Sequence, residues 1–407
     1  MSAPLLLEHA RVLTPRDELE QPVLVHEGRI AQLGGEPPRH PTPRRVDLSG
    51  NWLVPGFLDL HVHGGGGAQF TRGSVEDCLE AARFHARHGT TALLATTVAA
   101  PRRRLREAVE AIAQAAGAGD RSGAALLGCH LEGPFLNPRR RGALNPRHMR
   151  DPDAQELGEL AEAAAGRLKM VAVAPELPGA LELIAFAVGQ GVVAAVGHTD
   201  ATYEEASAAF DAGARHAIHL FNAMRPFAHR DPGVVGAALE RTEVTCEVIP
   251  DGHHLHPATL RLVSAVKGSS GTVLVTDAIE AAGMPDGAYR LGEADIEVVG
   301  GRARLAGGDS LAGSTLTMAA AVRGAVELAG LSLRDAVTQA TETPARVIGL
   351  EHRLGRIAPG HQADLAVLDG QLRVLATIRA GEFVHGAPAP RSGADGALRL
   401  EQPDPGP

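Results

Sequence analysis

The chain has 407 residues, of which 44% are hydrophobic, and its formal net charge is −9 at pH 7. This length accommodates one barrel-sized domain and a smaller one, and the negative balance excludes the basic surface typical of nucleic-acid-binding proteins. No apolar run approaches the roughly 20 residues of a membrane span, and the three cysteines lack zinc or disulfide spacing. We therefore expect a cytoplasmic protein that binds neither nucleic acid nor membrane.

Both ends of the chain have β-like patterns. The segments LLLEHARVLT and VLVHEGRIAQLG near the N-terminus, and a second region from Gly355 to Gly386, are rich in strand-forming residues bounded by Gly or Pro. We expect residues 1–52 and 352–390 to form a small β-sandwich domain together. Residues 391–407, rich in Pro and Gly, are predicted to be a loose tail.

Residues 53–351 alternate strand-length apolar runs with helix-length amphipathic segments. The strand candidates are Leu53–His63, Thr91–Val98, Ala125–Pro134, Lys169–Pro175, Val192–His198, Ala217–Asn222, Glu243–Pro250 and Thr272–Asp277. Helices are predicted over Val75–His88, Pro101–Ala115, Ala154–Ala165, Ala180–Val188, Tyr203–Ala212, Pro257–Val266, Leu316–Leu328 and Leu333–Ile348, with a hairpin insertion over Ala288–Asp309. Eight parallel strands over roughly 250 residues predict an α/β fold with a closed (β/α)8 TIM-like barrel; an open doubly wound sheet is the alternative.

The stretch GFLDLHVHGGGG ends the first barrel strand with paired histidines. Alternate residues share one face of a strand, so Asp59, His61 and His63 are predicted to point the same way at the carboxyl end, where barrel active sites lie. Paired imidazoles suit a metal ion, although a capping and a surface histidine are the alternative. A phosphate loop is disfavoured, because neither Gly-Lys-Ser/Thr nor a complete dinucleotide fingerprint is present.

Four further strands deliver metal-capable or acidic side chains to the same rim. The third ends at Glu132, the fifth at His198, the sixth at His219 and the eighth at Asp277. Imidazole and carboxylate ligands suit Zn²⁺, with Fe²⁺ or Mn²⁺ as alternatives, and such an ion makes hydroxide available at neutral pH. Asp277 suits a general base, with a helix N-cap as its alternative role. The pattern predicts hydrolysis at a carbonyl or phosphoryl centre.

Other histidines are assigned less specific roles. His216 begins its strand and is predicted to be structural, whereas His253, His254 and His256 lie in the loop after the seventh strand and are candidates for orienting substrate. His130 shares a face with Glu132 and is, with His254, a candidate donor to an oxyanion.

These residues resemble the amidohydrolase superfamily. The matching segments are PGFLDLHVHG, the histidine-bearing fifth and sixth strands, the aspartate of the eighth and the tail GRIAPGHQADLAVLD. Within the superfamily, HLEGPFLNP, GHTDATYEEASAAFDAGARHAIHLFNAM, VIPDGHHLHP and LAGSTLTM are similar to the N-acetylglucosamine-6-phosphate deacetylases. The resemblance extends from about Val54 to Val384.

The resemblance implies removal of the acetyl group from N-acetylglucosamine-6-phosphate, giving glucosamine-6-phosphate and acetate in amino-sugar catabolism. It implies a metal held by Glu132, His198 and His219, with Asp277 moving the proton. His61 and His63 add a second site, bridged by Glu132, in members that retain the first-strand pair. One or two divalent ions are therefore expected.

The resemblance also implies contacts with the amino-sugar phosphate. The implied substrate-binding residues are Ala143, Asn222, Ala223, His254, Leu311, Ala312 and Gly313. Arg230 resembles the phosphate-binding arginine that reaches across a dimer interface, so a homodimer is implied. His253 stands where the family usually has an aliphatic residue, which leaves the choice between His253 and His254 open.

Two other functions remain open. Another amide hydrolase of the superfamily would usually carry a metal-bridging carboxylated lysine on the fourth strand, whereas Lys169 begins that strand and lies at the wrong end of the barrel. A non-catalytic scaffold of the same fold is expected to lose ligands, and none of them is missing here. A serine hydrolase is disfavoured, because no G-x-S-x-G follows a strand.

Overall fold

The structure is a computed structural model that describes residues 3–37, 41–390 and 398–399. Within these residues the first strands are β1 (Leu5–Glu8), β2 (Arg11–Leu13), β3 (Glu18–Leu19), β4 (Val23–His26), β5 (Arg29–Leu33), β6 (Arg44–Asp47) and β7 (Trp52–Pro55). The barrel region follows with β8 (Phe57–Val62), β9 (Gly64–Gly65), β10 (Ala68–Gln69), α1 (Val75–Ala86), β11 (Thr90–Val98), α2 (Arg102–Gly117), β12 (Ala125–Glu132), α3 (Ala154–Ala163), β13 (Leu168–Val173), α4 (Ala180–Gly189), β14 (Val193–Val196), α5 (Tyr203–Asp211), β15 (His216–Ala217), α6 (Gly233–Glu240), β16 (Thr245–Val248), α7 (Pro257–Gly271) and β17 (Thr272–Leu274). The remaining elements are β18 (Gly287–Leu291), β19 (Ala294–Val299), β20 (Arg302–Leu305), α8 (Met318–Glu327), α9 (Leu333–Ala340), α10 (Glu342–Val347), β21 (Leu365–Leu368), β22 (Val374–Arg379), β23 (Glu382–His385), β24 (Ala389–Pro390) and β25 (Leu398–Arg399).

Eight strands from the continuously described stretch 41–390 form the barrel sheet, in the order β8, β11, β12, β13, β14, β15, β16 and β17. The sheet closes beyond β17, where Asp277 N donates to His61 O and His63 N donates to Ala278 O, both at 2.8 Å. The buried Asp59 carboxylate reinforces this seam by accepting a hydrogen bond from the Thr276 hydroxyl at 2.5 Å. The predicted TIM-like barrel is confirmed, and the open sheet is excluded.

The helices match the predictions except in two places. Helix α6, sequence GVVGAALE, has no predicted counterpart, because its two glycines and short length give a weak helical pattern. The segment Leu333–Ile348, predicted as one helix, is divided into α9 and α10 at Thr341, whose φ of −139° is not helical. The predicted insertion forms an antiparallel sheet, in which β19 lies between β18 and β20.

Two sheets contain strands from both termini. One has the order β24, β25, β6, β1, β4, β5, and the other β23, β22, β21, β7, β2, β3. They share one apolar core, to which Leu7 and Val25 contribute from the first sheet and Leu53 and Ile378 from the second. The small β-sandwich expected from the two ends is thus present.

The chain passes from this sandwich into the barrel at Gly56, between β7 and β8. The predicted tail 391–407 lies outside the described residues, apart from β25, which pairs with β6. None of the helices in the described part of the chain combines the length and apolar character needed to span a bilayer.

Candidate metal centre and active site

A cavity of about 270 Å³ opens at the carboxyl ends of the barrel strands. The predicted metal and catalytic residues His63, Glu132, His198, His219 and Asp277 line it. His61 lies immediately behind this wall, with its Nε2 atom 3.4 Å from Glu132 Oε1. These residues and His61 are at most 7% exposed, so five different strand ends place ionisable groups in one water-poor centre.

Glu132 lies at the middle of this centre. Its Oε1 atom is 3.1 Å from His198 Nε2 and 2.9 Å from His219 Nε2, and those two nitrogens are 3.2 Å apart. Ligands about 2.1 Å from a tetrahedral zinc ion lie about 3.4 Å from one another. The near-equilateral spacing of these atoms therefore fits three ligands around one divalent ion.

A second set of ligand atoms adjoins the first. His63 Nε2 lies 3.3 Å from Glu132 Oε2 and 3.2 Å from Asp277 Oδ1. His61 offers ligand atoms within 4.8 Å both of the Glu132–His219 pair and of the His63–Asp277 pair. The Glu132 carboxylate, with one oxygen facing each set, is placed to bridge two ions.

Charge and unmet hydrogen bonding also fit a metal. His61 Nε2 is buried without a hydrogen-bond partner. Burial disfavours its imidazolium form, yet the carboxylates of Glu247 and Glu132 raise the pKa of His61 well above its ordinary value. Burial opposes ionisation of Glu132 as well, but His61 and His198 hold the pKa of that carboxyl well below its usual range. The close carboxylates therefore stabilise positive charge at this point, and the imidazole and carboxylate donor atoms suit a divalent ion.

Backbone carbonyls orient two of the imidazoles. His198 Nδ1 donates to Arg140 O at 2.8 Å, and His63 Nδ1 donates to Thr96 O at 3.2 Å. In both rings Nδ1 is held by a carbonyl, so Nε2 is the nitrogen that faces the centre. The ligands also sit on unusual backbone, since φ is +45° at His198, +29° at His219 and +50° at Asp277. Such left-handed conformations occur where surrounding structure holds a functional side chain in place.

Asp277 combines access to the cavity with an ionised carboxylate. Burial tends to raise its pKa, but the hydrogen bond from His63 and the nearby His61 outweigh burial and lower it. A carboxylate that is ionised, buried and open to the cavity is suited to accept a proton.

Most of the predicted substrate-binding residues surround this centre. Those that line the cavity are Ala143, Asn222, Ala223, His254, Leu311 and Gly313. Ala312 does not line it: this residue is buried, and its amide donates to Ala303 O at 3.2 Å. Arg230 is exposed in the loop before α6 and lies outside the cavity wall.

The structure distinguishes the loop histidines. His254 lines the cavity, and its Nδ1 lies 2.7 Å from Asp251 Oδ2, whereas His253 is exposed. His130 does not line the cavity, because its Nδ1 contacts Leu60 O at 3.1 Å and its ring packs against His61. Of the two oxyanion donors considered from the sequence, only His254 therefore lines the cavity.

The sequence predicted neither four of the cavity-lining residues nor a carboxylate behind the cavity wall. The four are Gly142, Leu144, Leu291 and Ser310. Leu291, at the end of β18, and Ser310, just after the predicted insertion, bring this region to the cavity. Glu247, buried on β16, accepts a hydrogen bond from His61 Nδ1 at 2.8 Å. Its signal was available as the one carboxylate within the apolar strand TCEV.

Known proteins are similar to this chain in sequence and fold. The amidohydrolase family matches residues 52–389. An N-acetylgalactosamine-6-phosphate deacetylase of Escherichia coli O157:H7 is 40% identical over 372 residues, covering 91% of this chain and 96% of that protein. An N-acetylglucosamine-6-phosphate deacetylase of Bacillus subtilis (strain 168) is 34% identical over 387 residues, covering 94% and 98%.

A solved structure of N-acetyl-D-glucosamine-6-phosphate deacetylase from Mycobacterium smegmatis, in complex with N-acetyl-D-glucosamine-6-phosphate, is also similar. It is 43% identical and superposes with a TM-score of 0.88, covering 94% of this chain and 100% of that chain. The resemblance seen in the sequence is confirmed: the chain belongs to the amidohydrolase family.

Proposed function

We propose that this protein hydrolyses the acetamide of N-acetylglucosamine-6-phosphate to glucosamine-6-phosphate and acetate. The observation that carries the proposal is the buried Asp277 carboxyl beside the Glu132–histidine centre, within one cavity at the barrel rim. A divalent ion bound there supplies Lewis-acid polarisation of the acetyl carbonyl and lowers the pKa of water. We propose Zn²⁺, since imidazole and carboxylate are its usual ligands in such barrels.

Asp277 moves the proton in this mechanism. Its Oδ1 faces the centre, 3.2 Å from His63 Nε2, where it takes a proton from the attacking water. The same carboxyl then returns the proton to the amine nitrogen as the carbon–nitrogen bond breaks. His254, held at Nδ1 by Asp251, presents its Nε2 edge to the cavity as a contact for the substrate.

We assign the phosphate to Arg230 of a second copy of this chain. None of the described side chains that line the cavity is Lys or Arg, so a phosphate there needs a cation from elsewhere. Arg230 is exposed on a surface loop that also carries Phe227, a large apolar side chain that is 51% exposed. A homodimer that buries this loop against the neighbouring cavity would complete the substrate site.

Subunit mixing tests this assignment. Arg230→Ala and Asp277→Asn chains are each expected to be inactive on the phosphorylated sugar. If Arg230 acts across the interface, random re-association yields about a quarter of the wild-type sites intact, so activity returns to about that level. No recovery after verified subunit exchange would contradict the assignment.

Acetate release tests the substrate. We expect turnover of N-acetylglucosamine-6-phosphate and little of unphosphorylated N-acetylglucosamine, with Asp277→Asn as the inactive control. N-acetylgalactosamine-6-phosphate is the third arm, because a relative that is 40% identical carries the galactosamine name. Preference for that epimer would reassign the sugar but retain the chemistry, whereas equal rates on the two N-acetylglucosamine substrates would refute a phosphate site. The cytoplasmic location stays a prediction, which cell fractionation would test.

A further inference from the structure

Glu247 is a buried carboxylate outside the cavity wall. It lies on β16, the seventh barrel strand, and is 0% exposed. The ligand side chains lie between Glu247 and the cavity, so Glu247 takes no part in the chemistry proposed above. A buried carboxylate is costly unless it is fully hydrogen-bonded, so its partners indicate its role.

The partners of Glu247 come from the strands that carry the candidate ligands. Its Oε2 atom accepts from His61 Nδ1 at 2.8 Å and from the His219 backbone N–H at 3.0 Å. Its Oε1 atom accepts from His216 Nε2 at 2.9 Å. One carboxylate therefore ties the first strand to the sixth, and this contact also accounts for the structural role predicted for His216.

The contact with His61 fixes the state of that ring. A carboxylate accepts, so Nδ1 carries a proton and Nε2 is the nitrogen left to bind a metal ion. That Nε2 atom faces Glu132 Oε1 at 3.4 Å and Asp277 Oδ1 at 3.8 Å, and it has no hydrogen-bond partner. Among the described residues, His61 is the candidate ligand whose second nitrogen is held by a carboxylate, since backbone carbonyls hold His63 and His198.

A carboxylate partner makes an imidazole a stronger ligand than a neutral carbonyl does, and loss of such a partner typically weakens metal binding 10–100-fold. We propose that Glu247 is the positioning residue that commits His61 to metal binding and so decides whether the His61–His63 site is filled. The inference rests on the metal-binding part of the proposed function. It assigns the second ion's retention to a residue that touches neither that ion nor the substrate.

The test is Zn²⁺ affinity of the full chain, measured by competition with a chromophoric chelator and by metal analysis after dialysis. Glu247→Gln preserves side-chain size and an oxygen for His61 and His219. We expect it to weaken the more loosely held ion by about 10–100-fold while the tighter ion is retained. His61→Asn removes the ligand itself and is expected to show at least as large a loss, and the double variant no further loss than His61→Asn, because Glu247 acts through His61.

Thr245→Val is the matched control. Thr245 lies on the same strand as Glu247, and its hydroxyl is 2.6 Å from His216 Nδ1. The substitution removes this hydroxyl without touching a candidate ligand. Its Zn²⁺ affinity is expected to match wild type. Folding of each variant is checked by circular dichroism and thermal unfolding.

Several outcomes would overturn the inference. Folded Glu247→Gln protein could keep wild-type affinity for both ions, or it could lose both. Thr245→Val could lose as much affinity as Glu247→Gln, or His61→Asn could leave the metal content of the chain unchanged. The readout is metal affinity and not deacetylation, so failure of the Glu247 proposal is distinguishable from failure of the proposed function. Failure of the proposed function would appear as wild-type protein that binds no metal or releases no acetate.

Discussion

Replacing Asp277 by Asn should abolish most of the activity while leaving the protein folded and loaded with metal. Asn has nearly the same size, and its carbonyl oxygen can still accept the contact from His63 Nε2, now 3.2 Å from Asp277 Oδ1. Asn also tolerates the left-handed backbone at this position, where φ is +50°. The substitution therefore removes proton transfer with little added strain.

The expected magnitude is that of a lost general base. Proton transfer by a positioned side chain contributes about 10²–10⁴ in rate, or about 3–5 kcal/mol of transition-state stabilisation. The fall should appear in kcat, because the cavity wall that binds the sugar is unchanged. Single-turnover acetate release at saturating N-acetylglucosamine-6-phosphate, with metal content measured on the same sample, gives this value.

Asp364→Asn is the matched control for this experiment, since Asp364 is a buried aspartate, 5% exposed, that immediately precedes β21 and does not line the cavity. Its rate should equal that of wild type. A metal-loaded Asp277→Asn protein with the full rate would refute the proton-transfer role, and loss of metal in that variant would show that Asp277 acts as a ligand instead.

Three further perturbations follow from the same geometry. Chelation of the metal should lower the unfolding temperature, measured in a fluorimetric melt, by roughly 5 °C, and added Zn²⁺ should restore it. This shift corresponds to about 4 kcal/mol of binding free energy at a free ion concentration of about 1,000 Kd. An unchanged unfolding temperature after verified metal loss would contradict this. Gly64→Ala places a Cβ 2.1 Å from Ala68 O, so the turn after His63 must open. The free energy of unfolding, measured in urea, should fall by about 1–3 kcal/mol. Gly308→Ala, whose Cβ meets nothing closer than 3.9 Å, should leave it unchanged. Burial raises the pKa of Asp364, so the folded chain retains a proton that the unfolded chain releases. The free energy of unfolding should therefore fall as pH rises from about 4 toward the raised pKa. Asp364→Asn should lack this pH dependence, and an unaltered pH dependence in that variant would assign it to other groups.

The strand order could be predicted because each apolar run is followed by an amphipathic helix, but the strand ends could not. The predicted strand Leu53–His63 is two strands, and the break lies at Gly56, where a Cβ would meet Thr91 at 2.2 Å. Its apolar residues continue without interruption, so no pattern marks the passage between two sheets. The predicted strand Ala217–Asn222 is similarly shortened to His216–Ala217, because positive φ at His219 and Phe221 turns the backbone.

Residue types at strand ends were sufficient to predict which side chains meet at the rim, since parallel strands end at one face of a barrel. The contacts of Glu247 with His61 and His219 were not predictable in this way, because those residues lie far from it in sequence; only its unusual place as a carboxylate within an apolar strand was visible. The same limit applies to Ala312, which adjoins two cavity-lining neighbours but turns its own side chain away from the cavity.

The most direct test of a metal-dependent deacetylase is reconstitution of the metal-free protein. The chain is stripped of metal, titrated with Zn²⁺, and assayed for acetate release from N-acetylglucosamine-6-phosphate at each metal content. We predict that activity is absent without metal and rises in proportion to the ion bound at Glu132, His198 and His219. Full activity in the metal-free protein, or none in the fully loaded one, would contradict the account.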